Sequence, residues 1–193
     1  MARPERATSN VVSACWVPAS HCAHHAERDG YYRMKHPLLI ALPAYALDQL
    51  TKWWVVRTIP FDSGHPVIPG FFDLVYWGNT GAAFGSFKDN NVFFVSLSAA
   101  TFIGLLIAWA RGSFRDALNF WGVGLLLGGI MGNVTDRLVH HHVVDFLLFD
   151  LHVRFADPWP AFNVADSCIF IAVGLFLIAG FLEPKAGKTK EIA

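Results

Sequence analysis

Residues 118–138 read LNFWGVGLLLGGIMGNVTDRL, and the rest of the chain is best understood outward from them. At 1.5 Å of rise per residue the stretch is long enough to cross a hydrocarbon layer of roughly 30 Å as a helix. Gly124, Gly128 and Gly132 recur every fourth position, a ridge of small residues against which a second helix can pack closely. Asn133, Asp136 and Arg137 follow at i, i+3 and i+4, on one helical face. An ionisable group inside a span costs at least ~2.5 kcal/mol, so it persists only where it is paired or functional. An Asp136–Arg137 pair is the bland account of the two charges. It would still leave Asn133 and Arg137 as donors to a peptide carbonyl.

Three more stretches have the length and apolarity of a span: 37–56, 92–110 and 161–182. The composition agrees, with 54% hydrophobic and 16% charged residues against about a quarter charged in soluble domains. The expected fold is an all-α membrane protein of four transmembrane helices. The segment 59–90 alternates apolar and turn residues, as in Val67-Ile68-Pro69-Gly70-Phe71-Phe72. It is expected to form short strands, a small extracytoplasmic β-cradle. The loop 140–160 is a second outer element, with 147–155 as a strand or a surface helix.

Basic residues orient the spans. Arg33 and Lys35 precede the first, Arg111 and Arg115 separate the second from the third, and Lys185, Lys188 and Lys190 follow the fourth. The other two loops hold only Lys88 and Arg154. Both termini and the middle loop are therefore expected to be cytoplasmic. Trp53, Trp54 and Trp159 then fall at outer span ends, and Trp109 and Trp121 at inner ones. The first span is no cleavable signal peptide, since it holds Asp48 and Lys52 and no small-residue cleavage site follows it. Residues 34–184 are expected to form the working domain and 185–193 a basic tail. Residues 1–33 lack periodicity and read as a disordered extension or a mis-assigned start, Met34 being a natural one.

The formal net charge is zero, which offers nucleic acid no basic footprint. Metal binding is not expected either. Cys22-Ala23-His24-His25 has no second matching pair, and the adjacent His140, His141 and His142 point apart on a helix or a strand. Cys168, inside an apolar run, reads as a small buried hydrophobe.

Two other acids matter more. Asp145 lies just beyond the outer end of the third span, and Asp166 in the first turns of the fourth, with Asn163 at i−3 on its face. Opposite span directions bring both acids to one outer depth. Two carboxyls that close share a proton, so one can take a proton from water while the other donates to a scissile carbonyl. A structural or ion-translocating pair is the competing reading, although a transporter is expected to hold its ionisable groups near the midplane and to show internal repeats. Asp48 and Lys52, one turn apart, read as a self-satisfying ion pair. Asn79-Thr80-Gly81-Ala82-Ala83-Phe84-Gly85 is either a turn or a surface along which an extended peptide could pass, with Asn79 bonding to its backbone.

Five segments in order carry a resemblance: Asp48-Gln49-Leu50-Thr51-Lys52, Asn79 to Phe84, Gly132-Asn133-Val134-Thr135-Asp136-Arg137, Val143-Val144-Asp145-Phe146 and Phe162-Asn163-Val164-Ala165-Asp166-Ser167. Over 34–182 the chain resembles lipoprotein signal peptidases (signal peptidase II), an aspartyl protease family. The resemblance implies a multi-pass monomer of the bacterial cytoplasmic (inner) membrane, active near its outer, periplasmic face. The implied substrate is a diacylglyceryl-modified prolipoprotein, cut on the amino side of its lipidated cysteine. It also implies Asp145 and Asp166 as catalytic dyad, with Asn79, Asn133, Asp136, Arg137 and Asn163 positioning substrate or dyad, and Asp48 and Lys52 in support. Membrane lipid and the inhibitory cyclic peptide globomycin are the other implied partners, and no metal or organic cofactor is implied.

Overall fold

A helix, a two-stranded hairpin, two more helices, a third strand and a last helix succeed one another along the chain: α1 (Ala19–Thr58), β1 (Ser63–Ile68), β2 (Phe72–Asn79), α2 (Asn91–Ala110), α3 (Ala117–Val139), β3 (Val143–Phe149) and α4 (Val164–Leu182). This computed structural model describes residues 19–81, 90–114, 116–152 and 159–182, with side chains from residue 37 onward. The Cys15 and Cys22-Ala23-His24-His25 side chains, Ala82–Phe84, Lys88, Arg154 and the tail from residue 183 lie outside that description. Residues 33–193 group as one unit, which contains the latter part of α1 and every other element. Among the described residues three helices, α2, α3 and α4, are long and apolar enough to cross a membrane. They match the spans read at 92–110, 118–138 and 161–182 to within a few residues, α4 starting three residues later. The first stretch, 37–56, lies within α1, which begins before it.

The glycine ridge of α3 sets the helix packing. A Cβ on Gly124 would lie 2.6 Å from Ile40 Cβ, and one on Gly128 would lie 2.7 Å from the Ala41 carbonyl; one on Gly132 would strike the Asp48 carboxylate. The contacts advance together along both chains, so α1 and α3 run parallel, backbone close to backbone. Gly122 and Gly129 face α4 instead, against Phe176 and the Ala165 carbonyl respectively. That order is reversed, so α4 runs antiparallel to α3. Side chains from all four helices meet where Ala41, Val123 and Leu127 form a buried cluster with Phe102, Leu106 and Phe176 around it.

The three strands form one antiparallel sheet in the order β1-β2-β3. The hairpin lies in the 59–90 segment, where alternation predicted strands. The second outer element supplies the third strand, and it starts at Val143, ahead of the 147–155 stretch. Four of its first residues, Val143 to Phe146, are buried. Alternation fails there because both faces of the strand are covered, one by the α1 end, where Val55 and Ile59 pack on Tyr76, Val144 and Phe146. A register shift lies between Leu74 and Trp77, opposite β3. Such a bulge re-aims the side chains beyond it, here Asn79 and Asp145.

Candidate active site

Asn163 stands immediately before the first residue of α4, where a helix leaves backbone N–H groups without partners. Its Oδ1 accepts from the Asp166 N–H at 2.9 Å, and Asp166 Oδ2 accepts from the Asn163 N–H at 3.3 Å. This is a reciprocal capping box with an aspartate in the return position. It fixes the Asp166 carboxyl relative to the helix start. The free end of the same amide, Asn163 Nδ2, donates to Asp145 Oδ1 at 2.7 Å. One residue thus bonds the carboxyls of both acids that the sequence singled out, Asp145 through its amide and Asp166 through its backbone N–H.

Two more asparagines complete the arrangement. Asn79 at the end of β2 donates from Nδ2 to Asp145 Oδ2 at 2.9 Å, while its Oδ1 accepts from the Gly81 N–H. Asn133 on α3 donates from Nδ2 to Asp166 Oδ1 at 2.7 Å, while its Oδ1 accepts from Lys52 Nζ at 3.0 Å. In all three amides the carbonyl end is occupied by an N–H donor, so the NH₂ end must face a carboxyl. Asp145 is buried and Asp166 half-buried. Burial first, and then the charge of Asp166, push the Asp145 carboxyl up to about 7, against the hydrogen bonds from Asn79 and Asn163.

Asp136 does not pair with Arg137. Adjacent helical residues do not share a face. The Asp136 carboxylate instead meets Lys52 of α1 at 2.8 Å, and Lys52 also meets Asp48 at 2.8 Å. Gln49, which the sequence reading passed over, donates to Asp48, Asp136 and the Gly132 carbonyl. An amide beside a charge in an apolar stretch was the available signal for it. Arg137 turns the other way. Its guanidinium lies 4.9 Å from the Phe94 ring centroid and donates weakly to the Gly81 carbonyl at 3.4 Å; its buried Nε has no hydrogen-bond partner among the described residues. Asn91 donates to the Arg137 carbonyl at 3.0 Å, a second contact that the sequence did not announce.

Asn79, Arg137, Asp145 and Asp166 line a cavity of about 1560 Å³ together with Phe94, Ile130, Phe170 and Val173. Two carboxyls and a guanidinium therefore share one largely apolar groove with side chains of α2, α3 and α4. Such a site can hold an apolar chain while presenting acid–base groups to one point on it. The three histidines stand apart: the His142 ring is 5.7 Å from Phe61 and 6.0 Å from His140, and burial lowers its pKa.

Asn163 yields a direct test of this geometry. Asn163→Ala is expected to cost about 1 kcal/mol through the lost cap and to lower turnover about 10²-fold through misplaced acids. Asn163→Ser keeps a capping oxygen but no NH₂ donor. It should recover most of the melting temperature in detergent and little of the rate. Recovery of both together would reduce Asn163 to a cap.

Comparison with known proteins gives the arrangement a family. A family model described as signal peptidase (SPase) II matches residues 40–182. A lipoprotein signal peptidase of Symbiobacterium thermophilum is 39% identical over 150 residues, which cover 78% of this chain and 97% of that protein. One from Syntrophotalea carbinolica is 43% identical, covering 74% of this chain and 88% of that protein. A solved structure described as a bacterial membrane enzyme superposes with a TM-score of 0.72 at 29% identity, covering 83% of this chain and 96% of that one. With the matched region spanning every element from the latter part of α1 to α4, the chain belongs to the signal peptidase II family of membrane proteases.

Proposed function

We propose that this chain is a membrane-embedded aspartyl endopeptidase that removes signal peptides from diacylglyceryl-modified prolipoproteins, cutting on the amino side of the lipidated cysteine. The observation that carries the proposal is the pair of acids, Asp145 and Asp166, held by three oriented asparagine amides at the wall of an apolar groove. The pair shares one proton. The ionised member takes a proton from water, whose oxygen attacks the scissile carbonyl, and the protonated member donates to the carbonyl oxygen. The acid that took the water's proton then gives it to the leaving nitrogen as the C–N bond breaks. Its partner takes one back from a hydroxyl of the tetrahedral intermediate, which releases the two products and restores the dyad. Arg137, whose side chain lines the cavity, supplies a guanidinium donor to the peptide backbone, and Asn79 holds both Asp145 and the Gly81 turn.

In this reading α1 is a fourth span. Asp48 and Lys52 are buried, whereas Leu39, Leu42, Leu47 and Leu50 are exposed, as lipid contact requires. The protein is placed in the bacterial cytoplasmic membrane with both termini inside, so that sheet and dyad meet substrate at the outer face. A monomer is the working form in this reading.

Purified wild type in detergent is expected to cut diacylglyceryl-modified prolipoprotein, to leave the unmodified precursor intact and to be stopped by globomycin. Equal cleavage of both precursors would remove the lipid from the recognition account. The pH profile follows from Asp145. The shared proton is present below the raised pKa, so turnover is expected to fall as pH rises through about 7. It falls again on the acid side, once both carboxyls are protonated. A kcat that stays level from about pH 6 to 9 would contradict a shared proton with this pKa.

A further inference from the structure

The proposed peptidase chemistry uses two acids and the amides that touch them. It leaves unexplained why Asp48, Lys52 and Asp136 are all buried, at 0%, 3% and 2% exposure, beneath the site. A self-satisfying surface pair needs no such depth, and burying three charges is costly unless every one is bonded.

The bonds of the cluster lead to the dyad by three routes. Asp136 Oδ2 accepts from the Val144 N–H at 3.0 Å, and Val144 immediately precedes Asp145. Asp48 Oδ1 accepts from the Ala165 N–H at 2.8 Å, and Ala165 immediately precedes Asp166. Lys52 bridges those two carboxylates at 2.8 Å each and spends its third donor on Asn133 Oδ1 at 3.0 Å. That last bond forces the Asn133 NH₂ onto Asp166. An ammonium has three donors and no acceptor, and all three are used.

We propose that Lys52 is the positioning residue of the dyad: through Asp136 and Asp48 it fixes the spacing of the two backbones that carry the acids, and through Asn133 it holds a donor on one of them. The proposal rests on the dyad reading of Asp145 and Asp166. Lys52 touches neither reacting acid and is not itself catalytic. Its charge is nonetheless felt by both carboxyls. Among the described residues, the other charged groups around it are Asp48 on its own helix, Asp136 from α3, Asp145 from β3 and Asp166 from α4, and Arg137 of α3 interacts with the last three. Tyr76, His142 and Cys168 lie within electrostatic reach of the cluster, the first two through Asp136 and the third through Asp48.

The test compares wild type, Lys52→Met and Lys52→Arg in detergent, measuring kcat, KM and their pH profiles on a lipidated prolipoprotein. Lys52→Met is expected to lower kcat about 10²-fold with KM changed only a few-fold, because the groove that holds substrate does not include Lys52. Removing a nearby cation also makes the dyad hold its proton more tightly, so the alkaline limb should move up by about one pH unit. Lys52→Arg keeps the charge and should restore the position of that limb while recovering only part of kcat. If Lys52→Met does not fold, Asp48→Asn/Lys52→Met is read in its place. It removes one charge of each sign and keeps an oxygen for the Ala165 N–H, and the same kcat loss is expected. Wild-type kcat in a folded variant lacking the ammonium, or a loss confined to KM, would overturn the proposal. Failure of folded wild type to cleave the substrate would instead overturn the proposed function.

Discussion

Asp166→Asn is expected to lower turnover about 10²- to 10⁴-fold, the range that a positioned acid or base supplies, and to leave the protein folded. Asparagine fills nearly the same volume, but Asp166 accepts on two different oxygens, Oδ1 from Asn133 Nδ2 and Oδ2 from the Asn163 N–H, so the amide keeps only one of these bonds. The return bond of the capping box, the longer of the two at 3.3 Å, is the one given up, while Asn163 Oδ1 still caps the Asp166 N–H and the titratable proton is lost. Asp145→Asn should lose as much rate, with the same conflict at a more deeply buried position. Both oxygens of Asp145 accept from NH₂ groups, so an amide there turns one of its own NH₂ donors toward another donor. Some loss of melting temperature should accompany it, since a buried donor without an acceptor costs about 1–3 kcal/mol. A single-turnover assay with the lipidated substrate separates chemistry from binding. If either variant kept turnover within about tenfold of wild type, that residue would leave the mechanism.

Gly132→Ala is expected to lower stability and turnover together from outside the dyad. The added Cβ would fall on the Asp48 carboxylate and 3.2 Å from Ala165 Cβ. Asp48 cannot give way cheaply, since Lys52, Gln49 and the Ala165 N–H all hold it. Overpacking of this kind costs about 1–3 kcal/mol, and relief by moving Asp48 would shift the start of α4 and with it Asp166. Thermal melting in detergent should fall together with kcat, by about 10²-fold for the latter. Gly174→Ala is the control, because nothing lies within 4 Å of a Cβ there. It should be neutral or slightly stabilising, as alanine is the better helix former. A Gly132→Ala protein as stable and active as the control would mean that α1 and α3 are less tightly apposed than these distances require.

The parts of the fold legible in the sequence were those written in local pattern. Three apolar stretches gave α2, α3 and α4 close to their observed limits, and Gly124, Gly128 and Gly132 announced a helix contact without naming the partner. Asp145 and Asp166 stood out as acids beside spans. Tertiary partners were not legible. Arg137 was the candidate for Asp136 because it is next in sequence, yet the partner is Lys52, 84 positions away on another helix. The same limit hid the lock on each asparagine, since the orientation of an amide depends on donors from other elements. The β3 strand escaped its true limits because residues buried on both faces lose the alternation by which a strand is recognised.

The central claim is that Asp145 and Asp166 together hydrolyse one peptide bond of a lipidated precursor. Its most direct test is the mass of the products released when purified wild type and Asp166→Asn are each given a diacylglyceryl-modified prolipoprotein. The account predicts two products from wild type, an intact signal peptide and a mature chain beginning with the lipidated cysteine, and uncut substrate from the variant. Cleavage at another bond, or the same products from Asp166→Asn at a comparable rate, would contradict it.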